Sequence, residues 1–191
     1  MKQTISLGIA GLLLILISCS KITLPNDQSR LLLINEIMTS NSALIADTSI
    51  IDNDGMHADF AEFYNAGAIA YPLHGLYITD DSLVFAAYQP GTNDTQVFAL
   101  TDTIIPPGGF YVLWSGRGIT DTTNHMIIHL SRKTTSSEKL VLFDSTKTII
   151  AQINFSQIPD ALITNKSYGR YPDGGTAWQQ FTKPTPGFPN R

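Results

Sequence analysis

The chain reads as an all-β protein, a two-sheet antiparallel β-sandwich, and three observations predict it. Short runs that alternate apolar and polar residues recur with turn signals between them, at about 8 to 12 residues. No stretch beyond residue 18 sustains a 3.6-residue period with caps, so no helix is expected. The 191 residues suffice for one domain with a substantial core and are too few for two ordinary ones.

Two runs organise the rest. In Asp59-Phe60-Ala61-Glu62-Phe63-Tyr64-Asn65, alternation sends Ala61 and Phe63 to one face and Glu62 and Tyr64 to the other. In Gly75-Leu76-Tyr77-Ile78-Thr79-Asp80-Asp81, Leu76 and Ile78 share a face opposite Tyr77 and Thr79. The pair is expected as two half-buried strands side by side.

Residues 1–18 stand apart from the fold. Lys2 is followed by an uncharged apolar run from Ile5 to Ile17, about 13 residues against the ~20 that a spanning helix needs. Leu16-Ile17-Ser18-Cys19 resembles a bacterial lipobox, which implies cleavage before Cys19 and lipid modification of this single cysteine. Several acyl chains hold a protein to a membrane where one does not. Ser20 and Lys21 follow where enterobacterial lipoproteins carry an inner-membrane retention aspartate, which points to the outer membrane of a Gram-negative envelope. Residues 19–30, with Pro25 and Asn26-Asp27, read as a tether, and residues 31–191 as the sandwich domain.

Within that domain Leu31 to Met38 (LLLINEIM) is the first strand, stopped by Thr39-Ser40-Asn41-Ser42. Residues 42–58 form a loop. After Asp81 come the run Val84 to Tyr88, a turn at Pro90-Gly91-Thr92-Asn93-Asp94 and a strand from Gln96 to Leu100; residues 83–103 have no fixed register. Pro107-Gly108 suits the centre of a type II turn, and Phe110 to Trp114 has the bulk of a central strand. Further strands are expected at Met126 to Leu130, Lys139 to Phe143 and Thr148 to Phe155, with a hairpin turn at Asp144-Ser145-Thr146-Lys147. The Pro- and Gly-rich residues 167–191 are expected as short edge pieces that wrap the sandwich.

Ile34-Asn35-Glu36-Ile37-Met38, DFAEFYN, GLYITDD, the Pro-Pro-Gly-Gly turn into Phe110-Tyr111-Val112-Leu113-Trp114, Ser167-Tyr168-Gly169-Arg170-Tyr171-Pro172-Asp173-Gly174 and Pro184-Thr185-Pro186-Gly187-Phe188-Pro189-Asn190 occur in this order. Together they resemble the bacterial lamin-tail domain family, over nearly all of the chain from Leu33 to Asn190. The family's Trp-Ile-Glu-Leu-Tyr-Asn is Phe60-Ala61-Glu62-Phe63-Tyr64-Asn65 here, with a smaller core residue at Ala61, and residues 83–103 are longer than the family leads one to expect. The resemblance implies an immunoglobulin-like sandwich. It implies no single activity, since such domains serve as modules beside varied partners.

Net charge is −4, from 12 basic and 16 acidic residues, and the basic ones are scattered; a nucleic-acid partner is not expected. Asp52-Asn53-Asp54-Gly55 with Asp59 is the best oxygen-donor group, a candidate Ca²⁺ site, although EF-hand spacing fails; the same residues suit a solvated turn. Glu36 and Glu62, two of three glutamates, lie on strands and could pair across a sheet as acid and base of a glycosidase-like hydrolase, or hydrogen-bond a neighbouring loop, or simply be exposed. His125 and His129, about 13 Å apart on a strand at ~3.3 Å per residue, do not form a metal pair. Ser115 lacks the setting of a nucleophile elbow. Arg170, beside Tyr171, could contact a sugar or peptide, or latch the C-terminal wrap; Trp178 could join such a contact if exposed, or pack at an edge.

The expected protein is thus a lipid-anchored, non-catalytic interaction module at the cell envelope, with no cofactor beyond a candidate Ca²⁺ and with an envelope protein or polysaccharide as partner. A carboxylate-based hydrolase and a Ca²⁺-dependent adhesion module are the alternatives.

Overall fold

The structure, a computed structural model, describes residues 31–43, 50–52, 54–115, 125–126, 130, 138–155, 158 and 163–191. The expected signal peptide, Cys19 and the tether lie outside the described residues, as do Asn53, His129 and the residues 127–129 of one expected strand.

Strand β1 (Leu32–Met38), β2 (Asp59–Asn65), β7 (Phe110–Ser115), β8 (His125–Met126), β11 (Ser167–Arg170) and β12 (Trp178–Phe181) form one sheet in the order β12-β11-β1-β2-β7-β8. Strands β4 (Leu76–Asp81), β5 (Phe98–Ala99), β9 (Glu138–Asp144) and β10 (Ile149–Asn154) form the second, in the order β10-β9-β4-β5. Short β3 (Tyr71–Pro72) and β6 (Ile104–Ile105) pair with each other. Every strand pair is antiparallel except the two-residue contact of β7 with β8. The architecture is the expected all-β sandwich.

Period-two alternation explains the core. Ile34, Ile37, Ala61, Phe63, Leu113 and Tyr168 from the larger sheet pack with Leu76, Ile78, Leu140 and Leu142 from the smaller one. Both outer faces carry satellite clusters. Met38, Phe60 and Trp114 pack with Ala58 on one, and Tyr88, Val141 and Phe143 with Tyr77 and Phe85 on the other.

Four expectations are corrected. The DFAEFYN and GLYITDD strands are not neighbours: β2 and β4 lie in different sheets, and the apolar faces assigned to them both enter the shared core. Instead of no helix, α1 (Ser82–Ala87) follows β4, because Asp81 caps it by accepting from the Leu83 N–H at 2.7 Å and Phe85 seats edge-on against Phe143. The strand expected from Gln96 to Leu100 shrinks to Phe98–Ala99, since Asp94 draws the Gln96 and Val97 amides into a turn. Strand β11 is not an edge piece, because it lies between β1 and β12.

Two turns form as expected. Gly109 donates to the Pro106 carbonyl at 2.9 Å with Gly108 at φ 69°, the positive value a type II turn requires. In the 144–148 hairpin, Asp144 accepts from the Thr146 and Thr148 amides.

Candidate functional site

Glu36 and Glu62 are direct partners across β1 and β2, and both are fully buried. The register shifts between Ile34 and Glu36, so one extra residue, Asn35, is accommodated there. Such a bulge breaks strict alternation and allows Asn35 and Glu36 to serve the same side of the sheet while Ile34 and Ile37 both remain in the core. Three polar side chains thereby converge on the outer face of the larger sheet.

Residues 182–191, here called the strap, close over them. The strap runs across four strands. A Cβ on Gly169 of β11 would lie 2.7 Å from Asn190 Nδ2, and one on Gly187 would lie 3.9 Å from Val112 of β7. Between these ends, Thr185 reaches Glu36 of β1 and Gly187 reaches Glu62 of β2. The absence of a side chain at Gly169 is what permits this close approach.

The hydrogen bonds account for each carboxylate oxygen. Glu62 Oε1 accepts from Asn35 Nδ2 at 2.9 Å and Oε2 from the Gly187 N–H at 2.7 Å. Glu36 Oε1 accepts from the Ser167 hydroxyl, and the Thr185 N–H lies 3.2 and 3.3 Å from its two oxygens. Asn35 Nδ2 also donates to Asp173 at 2.9 Å, while Asn35 Oδ1 accepts from the Gly174 N–H at 3.1 Å. Asp173 Oδ1 accepts from the Asn190 N–H at 3.1 Å, and Asn190 Nδ2 donates to the Arg170 carbonyl at 2.9 Å.

Burial in this setting disfavours charge. It pushes the Glu62 carboxyl up to about 8, against the opposing pull of its Asn35 and Gly187 donors, and the neighbouring Glu36 and Asp173 carboxylates add to the rise. Burial raises Glu36 likewise, against its Ser167 and Thr185 donors.

The other sequence-derived candidates are not drawn into this cluster as ligands. Arg170 donates Nε to the Ile34 carbonyl at 2.8 Å and Nη1 to the Gly175 carbonyl, and its guanidinium lies 5.0 Å from the centre of the Trp178 ring. Trp178 is half-buried and stacks also on Tyr168 at 6.5 Å. Tyr171 is half-exposed, at 50%. Asp52 Oδ1 accepts from the Asp54 and Met56 amides, and Asp59 Oδ1 from the Asn41 N–H at 2.7 Å. Among the described residues no group of three or more His, Cys, Asp or Glu is placed to hold a metal ion. Ser115 Oγ is buried and accepts from the Leu130 N–H at 3.1 Å.

Sequence reasoning identified Glu36 and Glu62 but not Asn35, Ser167, Asp173, Thr185, Gly187 and Asn190 as their partners. The available signal was the pair Asn35-Glu36 inside an otherwise apolar strand, which calls for polar partners once buried. A scan against protein-family models finds no match to this chain, and a search of curated proteins finds no relative.

Proposed function

We propose that this chain is a lipid-anchored, non-catalytic interaction module of lamin-tail type at the cell envelope, held to the membrane through Cys19. One observation carries the non-catalytic part. The cross-strand pair Glu36 and Glu62 is fully buried and hydrogen-bonded to the strap and its neighbours, so it acts as a structural fastening.

The lamin-tail assignment is supported by where its motifs fall. Asn35-Glu36, Glu62, the 167–174 motif and the 184–190 motif are far apart in sequence and meet in one network. A shared framework of this kind accounts for motifs that occur together without specifying an activity. With the sheet faces occupied, binding to an envelope protein or polysaccharide falls to loops and strand edges.

The test is cross-linking of the full-length chain in its native envelope, with recovery and identification of what comes with it. A reproducible protein or glycan neighbour is expected, together with fatty-acid labelling that Cys19→Ala abolishes. Glycan hydrolysis by the purified chain that Glu62→Gln abolishes would overturn the reading in favour of a hydrolase.

A further inference from the structure

With both glutamates ionised, one acceptor beneath the strap is left without a hydrogen. The Thr185 hydroxyl has one hydrogen but stands between two acceptors, 3.2 Å from Glu36 Oε2 and 3.0 Å from Asn190 Oδ1. With Glu36 ionised, one of those contacts lacks a hydrogen. With a proton on Glu36 Oε2, Glu36 donates to Thr185 Oγ1 and Thr185 donates to Asn190 Oδ1, and both contacts are satisfied. Glu62 offers no such place, since each of its oxygens already faces an N–H.

The surrounding charges point the same way. The groups facing the pair are Asn35 from β1, Ser167 from β11, Asp173 from the turn after β11, and Thr185 and Gly187 from the strap. Val112 and Gly169, from β7 and β11, bring no charge. Arg170 turns to the carbonyls of Ile34 and Gly175, and Lys183 and Arg191 on the strap are exposed. Among the described residues no Lys, Arg or His forms an ion pair with Glu36, Glu62 or Asp173. Two buried carboxylates with no cation keep a proton between them.

The strap is the part of the enclosure that can yield. Strands β1, β2 and β11 are each paired on both sides. The strap adds no strand to either sheet, and Pro184, Pro186 and Pro189 contribute no N–H.

We propose that residues 182–191 form a proton-operated latch, shut while Glu36 and Glu62 share one negative charge and progressively released as both ionise, uncovering the outer face of β11, β1, β2 and β7. Burial raises both carboxyls in the closed form, whereas an open strap returns them to water, near 4.5. Opening therefore becomes easier by up to about tenfold per pH unit between 4.5 and about 8 and levels off above that.

The test is amide exchange by NMR on the full chain in detergent micelles, from pH 5.5 to 8.5, with each rate divided by its intrinsic value. The Thr185 and Gly187 amides bond directly to the two carboxylates, so they report the latch. Their opening is expected to rise up to about tenfold per pH unit up to pH 8, while the Phe63 and Leu142 amides in the paired strands stay protected. Glu36→Gln can place an NH₂ where the proton sits and is expected to flatten the rise. Uniform protection of Thr185 and Gly187 across the series, opening in step with Phe63 and Leu142, or an unchanged rise in Glu36→Gln would each overturn the latch. Should Glu36→Gln not fold, Thr185→Val removes the relay hydroxyl and is expected to lower Gly187 protection at pH 5.5; wild-type protection there would overturn the latch.

Discussion

Asn35 ties Glu62 to Asp173: one side-chain amide nitrogen donates to both carboxylates, each at 2.9 Å, across 27 and 138 residues of sequence. Its oxygen meanwhile receives the Gly174 N–H. One residue inserted by a bulge thus fastens β1 to β2 and to the turn that follows β11.

Asn35→Ala removes all three bonds and leaves Glu62 Oε1 buried without its donor. The expected loss is roughly 2 to 4 kcal/mol of unfolding free energy, because an unsatisfied buried group costs more than the bond itself contributed. Urea denaturation at fixed pH measures it. A loss below about 0.5 kcal/mol, the range of ordinary surface substitutions, would mean that the network is dispensable.

The carboxyl pair predicts an unusual pH dependence. An ordinary salt-bridged carboxylate adds stability as pH rises, but burial raises both carboxyls of this coupled pair, Glu62 to about 8, and the one proton they share is lost on unfolding, so the folded chain holds more protons than the unfolded one between 4.5 and about 8. Stability from this source is greatest below pH 4.5, falls at up to about 1.4 kcal/mol per pH unit, and is flat above about pH 8. Urea midpoints at pH 5.5, 6.5 and 7.5 are expected to fall in wild type and to change much less in Glu36→Gln. Midpoints that rise over this range in wild type would refute the assignment.

Gly174 and Gly108 separate two kinds of cost. Both have positive φ, 70° and 69°, but a Cβ at Gly174 would also lie 2.9 Å from Tyr64 Cε1, whereas Gly108 faces open space. Gly108→Ala is expected to cost about 1 kcal/mol from backbone strain alone, and Gly174→Ala about 2 to 3 kcal/mol. Thermal unfolding of the two variants side by side checks the order, and equal losses would mean that the Tyr64 ring moves aside freely.

Removal of calcium is expected to leave stability unchanged. Asp52 already accepts the Asp54 and Met56 amides, and Asp59 accepts the Asn41 amide, as in a self-supporting turn. Melting in Ca²⁺ and in EDTA compares the two states. A rise of about 5 to 11 °C in Ca²⁺ at 100 times Kd would instead establish a site at Asp52, Asp54 and Asp59.

The legible part of this fold is the part governed by period two. Alternation placed Ala61, Phe63, Leu76 and Ile78 in the core correctly, because a strand with one buried face repeats every second residue. It did not reveal which strands pair, since β2 and β4 carry the same pattern whether they lie in one sheet or face each other across two. The helix at Ser82–Ala87 was hidden because six residues are too few to show a period, and its cap, Asp81, lies within β4 itself. The carboxylate pair was foreseeable from two glutamates on apolar strands. Its cover was not, because Thr185, Gly187 and Asn190 bond from an irregular segment that has no periodicity to read.

The position of β1 also bears on how the chain folds. It is the first strand of the sheet, yet it lies between β2 and β11, with Ile37 opposite Tyr168, and Glu36 meets Thr185 from 149 residues away. Contacts this distant close large loops, which must be ordered before the pairing rewards it, so they slow folding. Until β11 arrives, one side of β1 is an open edge, a template for pairing with another chain. Solubility during folding therefore depends on how long that edge stays unpaired, a kinetic quantity that the finished sandwich no longer displays.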